Sequence, residues 1–221
     1  MASLWRLLQT SDSAFPVGGF AHSYGLEGMV QAGAVNTPAD LREFIEATWI
    51  PVLTHIDLPL VRLAAAHAGD RAALLRLDEL AWACRPTAEA RKAQQQMGAQ
   101  RLTLMTGLTG NEQLSAMQNE RWMTQWPVVW GLETAALGTE LMSSLTAYAY
   151  QGINGILTAS TKLIRIGPSE LQRQLQDAGP SVEKAIDASL SISEDEIGWF
   201  TPMLDITGAA HETAYTRIFI S

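Results

Sequence analysis

Side chains able to do chemistry crowd the two ends of this 221-residue chain. Residues 11–27 read SDSAFPVGGFAHSYGLE. They bring Ser11, Asp12, Ser13, His22, Ser23, Tyr24 and Glu27 together around Pro16, Gly18 and Gly19. Residues 201–221 read TPMLDITGAAHETAYTRIFIS and interleave His211, Glu212, Thr213, Tyr215 and Arg217 with apolar positions. A phosphate cradle, a nucleophilic pocket and a docking surface are the three chemistries these types can serve.

The phosphate cradle is the weakest. Backbone amides at a glycine turn before a helix bind phosphate, but the loop has no G-x-x-x-x-G-K-[ST] pattern and no nearby lysine. The bland reading is a tight turn at Pro16, Gly18 and Gly19 that lets helices approach. Nucleophilic catalysis fares no better. Ser23 lies in H-S-Y-G rather than a G-x-S-x-G elbow, and Cys84, in A-W-A-C-R, reads as a buried inert thiol. His22, His55, His67 and His211 are scattered with no i, i+4 pairing, so no metal-ligand set is read from the spacing. A metal shared between two subunits would need only one or two ligands from each. Trp122, Trp126 and Trp130 repeat at i, i+4, i+8 and read as core, interrupted by Pro127.

The tail divides evenly between two readings. Tyr and Arg are enriched at binding hot spots, and Arg217 offers a planar, bidentate donor. The alternative is a terminal amphipathic helix docked on its own core, with Arg217 paired to a local acid.

These residues must be held by helices. Apolar residues make up 47% and charged ones 17%, enough for a core and too few charges for disorder. Ala, Leu, Gln and Met abound, and no alternating strand pattern persists. The expectation is an all-α, single-domain bundle spanning 1–221, of roughly ten helices around a central apolar one at Thr139–Ile166. Helices are expected over Ala2–Thr10, Phe20–Ala32, from Thr37-Pro38, over Leu60–Ala68, Arg71–Cys84, Thr87–Met105, Val128–Leu137 and Ile206–Phe219. Pro51 and Pro59 should bracket a kink, and Gly107–Gly110 should end the long helix.

The net charge is −8, and nine acidic against three basic side chains follow Pro168. Such a chain repels nucleic acid and anionic membranes. One cysteine permits no internal disulfide, which fits a reducing cytoplasm. No signal peptide and no apolar run of about 18 residues is read from the sequence.

Both ends together resemble one family, the urease accessory protein UreF. The first signature is matched by Leu7-Leu8-Gln9, Pro16-Val17-Gly18, Phe20, Ser23 and Gly25-Leu26-Glu27. The second is matched by His211-Glu212, Tyr215, Arg217, Phe219 and Ser221. Met97-Gly98 with Arg101, Pro127-Val128-Val129 with Gly131-Leu132, and Thr201-Pro202 with Leu204-Asp205-Ile206 fit between them. The chain departs from the family pattern at Trp126, at Arg165-Ile166-Gly167-Pro168 and at Ile220. The resemblance implies an all-α scaffold rather than an enzyme, dimeric and without a cofactor of its own. It would join UreD (also called UreH) and the GTPase UreG on apo-urease for nickel insertion, with a role in the GTPase cycle. Ser23, Tyr24 and Glu27 would then face the GTPase assembly, and His211, Glu212, Tyr215 and Arg217 would order against UreD. The alternative is a helical metallochaperone that carries nickel itself.

Overall fold

The computed structural model describes residues 2–119 and 124–220, and Trp122 of the tryptophan repeat lies outside them. Every regular element among the described residues is helical. The α-helices are α1 (Ala2–Ser11), α2 (Leu26–Gln31), α3 (Pro38–Phe44), α4 (Ile50–Val52), α5 (Leu58–Ala66), α6 (Arg71–Ala83), α7 (Ala88–Thr109), α8 (Glu112–Asn119), α9 (Trp126–Ala136), α10 (Leu141–Leu163), α11 (Pro168–Asp177), α12 (Gly179–Ser189) and α13 (Pro202–His211). The all-α expectation holds. The expected central helix is α10, which packs against α1, α2, α5, α9, α11 and α12.

Several local expectations are corrected. Pro51 and Pro59 do not break the chain. Two π-helical turns, Ile45–Trp49 and Leu53–Asp57, join α3, α4 and α5 into one rod. A wider turn before each proline accommodates its missing N–H and its ring, which would clash in an α-helical register. The rod, Pro38–Ala66, is long and apolar enough to cross a membrane by length and composition alone, although polar residues such as His55, Asp57 and Arg62 interrupt its apolar positions. Over 18 residues its mean hydropathy is 1.2, yet 67% of that window is buried inside the protein, as in a core helix. Gly107 lies inside α7, which ends at Gly110 with a left-handed φ of 61°. Helix α8 was not expected at all. The expected helix over residues 20–32 shrinks to α2, because His22 is extended and Tyr24 and Gly25 are left-handed, with φ of 56° and 82°. The expected last helix ends at His211, and the tail beyond it is irregular.

The starts of the elements follow local chemistry. Thr37 and Asp40 form a capping box at α3, and Asp70 caps α6 through the amides of Ala72 and Ala73. Close packing depends on glycine at a few crossings. A Cβ at Gly131 in α9 would lie 2.2 Å from the Val61 carbonyl oxygen of α5, and one at Gly98 in α7 would lie 2.0 Å from that of Thr124.

Two buried ion pairs tie the layers. Arg101 is 0% exposed. Its guanidinium takes both oxygens of Glu133, at 2.6 and 2.9 Å, and donates to the Thr10 carbonyl at 3.1 Å. The same group lies 3.7 Å from the Trp130 ring centroid, with Phe15 and Trp126 at 5.6 and 5.4 Å. In the other pair, Arg85 donates to Asp57. Burial pushes the Asp57 carboxyl upward against the pull of Arg85 and of a hydrogen bond from Tyr148.

Asp78 is also buried. It accepts from the Gln125 amide at 2.8 Å, at the start of α9. Burial pushes its carboxyl up to about 7, against that hydrogen bond.

Three substitutions test these features. Gly131→Ala is expected to cost roughly 1–3 kcal/mol in urea unfolding, from overpacking against α5. Gly107→Ala, exposed in α7 with open space at its Cβ, is expected to gain up to about 1 kcal/mol. For Asp78, the folded carboxyl titrates near 7 and the unfolded one near 3.8. The folded chain therefore binds more protons between those values, and stability falls as pH rises through that window and levels above it. Asp78→Asn should abolish that slope. Calorimetry should show it on the order of 2–4 kcal/mol more stable than the parent chain at pH 8 and equal to it at pH 4.

Candidate functional site

The two chemically loaded ends of the sequence meet. The loop after α1 turns at Gly18, whose φ of 83° is left-handed. It continues through a 3₁₀ turn, Gly19–Ala21, to α2. Pro16 is exposed and Phe15 and Val17 are buried, so the turn is pinned by alternate side chains. Tyr24 holds φ of 56°, an unfavourable conformation for a residue with a Cβ. Packing compensates. Its ring meets Trp49 edge-on at 5.5 Å and lies against Gly155 of α10, where a Cβ would come within 2.7 Å of the ring. Burial, then the charge of Asp57, pushes its hydroxyl up to about 12, so Tyr24 is a neutral packing element rather than an acid.

Glu27 is the hub. It lies on α2, is 2% exposed, and its amide is held by Ser23 Oγ at 3.2 Å. Its carboxylate accepts from the amides of Ile218 and Phe219 at 2.7 and 2.9 Å. Gln31 Nε2 is a fourth neighbour at 3.4 Å and also donates to the Thr216 carbonyl at 3.0 Å. His211 Nε2 lies 3.1 Å from Glu27 Oε2, the oxygen that also accepts from Phe219, and its Nδ1 lies 2.8 Å from Glu89 of α7. Ionised carboxylates only accept, so this arrangement is fully satisfied when both ring nitrogens carry hydrogen. Arg217 donates to the other Glu89 oxygen. Glu212 closes the set by accepting from the first amides of α7, Ala88 and Glu89, at 2.6 and 3.2 Å. A carboxylate there also suits the positive end of the helix.

The tail is thus strapped onto its own chain. Ile220 donates its amide to the Ala21 carbonyl at 2.8 Å. Phe219 is buried beneath Lys162, whose ammonium lies 5.2 Å from the ring centroid. Helix α13 can lie close on α2 because Gly25 and Gly28 face Leu204 and Thr207, leaving no room for a Cβ. Cavities of about 100 and 150 Å³ flank the strap. The first has Glu89, Gln94 and His211 in its wall, and the second has Tyr24, Lys162 and Phe219.

The proposed docking residues therefore have distinct placements. Ser23, Glu27 and His211 are buried, with Ser23 holding the Glu27 amide and Glu27 holding the tail, and Tyr24 is half-buried. Glu212 is half-buried on α7, Arg217 is paired to Glu89, and Tyr215 projects fully into solvent. The reading of a terminal segment docked on its own core, with Arg217 paired to a local acid, describes the tail, although the segment is not a helix. The acids of the ion pairs bracket the histidine rather than surround a point. Glu27 and Glu89 lie on opposite edges of the His211 ring, and among the described residues no group of three His, Cys, Asp or Glu side chains converges as ligands.

The residues to which the sequence reading gave no docking role are apolar and exposed. Phe20, Ile218 and Ile220 are each more than half exposed around the strap. Trp199, Phe200, Met203 and Ile206 form a second exposed set before and along α13. A run of large apolar residues beside breaker residues was the available signal.

Glu27→Ala is expected to expose the amides of Ile218 and Phe219 to exchange and to speed tryptic cleavage after Arg217 at least tenfold. Glu27→Gln should fall between the parent chain and Glu27→Ala. It keeps one accepting oxygen but turns an amide NH₂ toward other donors.

Comparison with known proteins places the sequence among its relatives. The model of the UreF family matches residues 35–179. Proteins described as urease accessory protein UreF match along the whole length. The one from Azoarcus sp. (strain BH72) is 37% identical over 227 aligned positions, covering 99% of this chain and 95% of that protein. That of Marinomonas sp. (strain MWYL1) is 32% identical over 99% of this chain and 94% of its own. That of Pseudomonas putida (strain W619) is 33% identical over 99% and 98%.

Proposed function

The chain belongs to the UreF family of urease accessory proteins, and from that premise we propose that it acts as a non-catalytic scaffold in urease maturation. In this reading it joins UreD (UreH) and the GTPase UreG on apo-urease, as a cytoplasmic homodimer. Nickel is cargo of the assembly, and the chain needs no resident cofactor.

The observation that supports the reading is the strap itself. Its ionisable residues are consumed in holding the tail to α2 and α7. Beside the paired and partly exposed Arg217, the large side chains that face outward are apolar or uncharged: Phe20, Tyr215, Ile218 and Ile220. That composition suits protein docking, where aromatic and aliphatic anchors carry most of the energy. The buried residues are positioning groups, and the exposed rim is the surface offered to a partner.

Control of a GTPase cycle would then be a matter of linkage. A scaffold shifts the nucleotide state only by binding one state more tightly, typically by about 1–3 kcal/mol. Two sites related by a two-fold axis would follow from a dimer.

Co-expression pull-down with the cognate UreD and UreG tests this. The intact chain is expected to assemble with both. The triple variant Phe20→Ser/Ile218→Ser/Ile220→Ser, which leaves the Glu27 contacts in place, is expected to lose at least one of them. A chain ending at Ala214 should do the same. An intact chain that retains neither partner, or a triple variant that retains both at full yield, would sink the scaffold reading or the assigned rim respectively.

A further inference from the structure

A third cavity, of about 10 Å³, lies where the rod, α7 and α10 converge. Its wall includes Trp49 from the rod, Gln94 from α7, and Gln151 with Gly152 from α10. Three buried polar atoms on those side chains have no hydrogen-bond partner among the described residues: Trp49 Nε1, Gln94 Oε1 and Gln151 Oε1. Trp49 and Gln94 are 6% and 7% exposed.

Their chemistry is complementary in one specific way. The indole is a donor only, and the two amide oxygens are acceptors. Buried polar groups in folded proteins are almost always bonded. The donor and the acceptors belong to three different elements, and Gly152 keeps the space beside the indole open. A Cβ there would stand 3.3 Å from Trp49 Nε1. The cavity volume is about the least that admits one water molecule, and a buried water requires two to four polar partners.

We propose that this cavity is a binding site for one ordered water. Its oxygen accepts the Trp49 indole hydrogen, and its two hydrogens go to Gln94 Oε1 and Gln151 Oε1. The water is then a joint of the fold. It links the rod, α7 and α10 directly behind Tyr24, which also lines the cavity. The seat of the left-handed Tyr24 is in this way polar on its inner side and apolar at Trp49 and Gly155.

The test uses the intact, ¹⁵N-labelled chain and water itself. Of the seven tryptophans, the Trp49 indole is assigned by its disappearance in Trp49→Phe. A water cross-peak to that indole hydrogen is expected, with the sign of a long-lived bound molecule. It should survive in Tyr24→Phe and be lost in Gln94→Met/Gln151→Met. A missing cross-peak in the parent chain would overturn the proposal, as would one lost in Tyr24→Phe, which would mean relay through the hydroxyl. Thermal melts give a second readout. The combined Trp49→Phe/Gln151→Met shift should be smaller than the sum of the single shifts, because both lose the same water. Strictly additive shifts would also overturn it.

Discussion

The guanidinium of Arg101 is the constraint on which the rest is hung. A fully buried positive charge survives only with its partners in place. Here they come from three separate parts of the chain. Glu133 binds it bidentately from α9, Thr10 gives its carbonyl from the last turn of α1, and the faces of Trp126, Trp130 and Phe15 close around it. Removing one partner would leave a charge stranded, a cost of about 3–5 kcal/mol in comparable buried pairs. The pair therefore acts less as a source of stability than as a fixed address. It places the end of α1, and so the start of the glycine loop, at one point above α7 and α9.

The other end of that loop is fixed by the same physics with the sign reversed. Glu27 is a buried negative charge, and its oxygens collect donors from α2, α13 and the tail. Between Arg101 and Glu27 the backbone turns at Gly18, Tyr24 and Gly25 in left-handed conformations. Both anchors are held from within the fold, so the loop keeps its shape without a ligand. Backbone amides 218 and 219 are recognised, rather than side chains, so the order of the strap depends on Glu27 more than on tail composition.

How much of this was legible in the sequence depends on the range of the interaction. Caps and helix starts at Thr37, Asp70 and Thr87 are local and could be read directly. The central helix was legible because its apolar period is long. The rod was not, because proline reads as a break unless the preceding turn widens to a π register, which no local pattern announces. Ser23, Glu27, His211 and Arg217 stood out in the sequence, but apart from the reading that paired Arg217 with an acid of its own chain their destinations were not legible. Charged residues in an apolar setting signal either a partner or a buried network, and only the fold brings residues 27, 89, 211 and 217 together. Arg101 appeared only as a motif position, since a lone arginine in an Ala- and Gln-rich helix looks like an ordinary solvated side chain. Gly155 went unnoticed for a similar reason. Its role is to leave space for a ring 131 positions earlier.

The strap also limits what kind of docking is thermodynamically available. A tail that is disordered when free must be ordered by its partner, and that ordering subtracts from affinity. Here the ordering has been done within the chain, by the hydrogen bonds to Glu27, Gln31 and Ala21 and by the burial of Phe219. A partner that takes the tail as seated meets a rigid apolar rim and binds without that loss. A partner that needs the tail in another course must first break the Glu27 contacts, leaving a buried carboxylate and His211 to be satisfied anew. The first route is therefore the less costly one, and the exposed apolar side chains rather than the ionic ones are where it would begin.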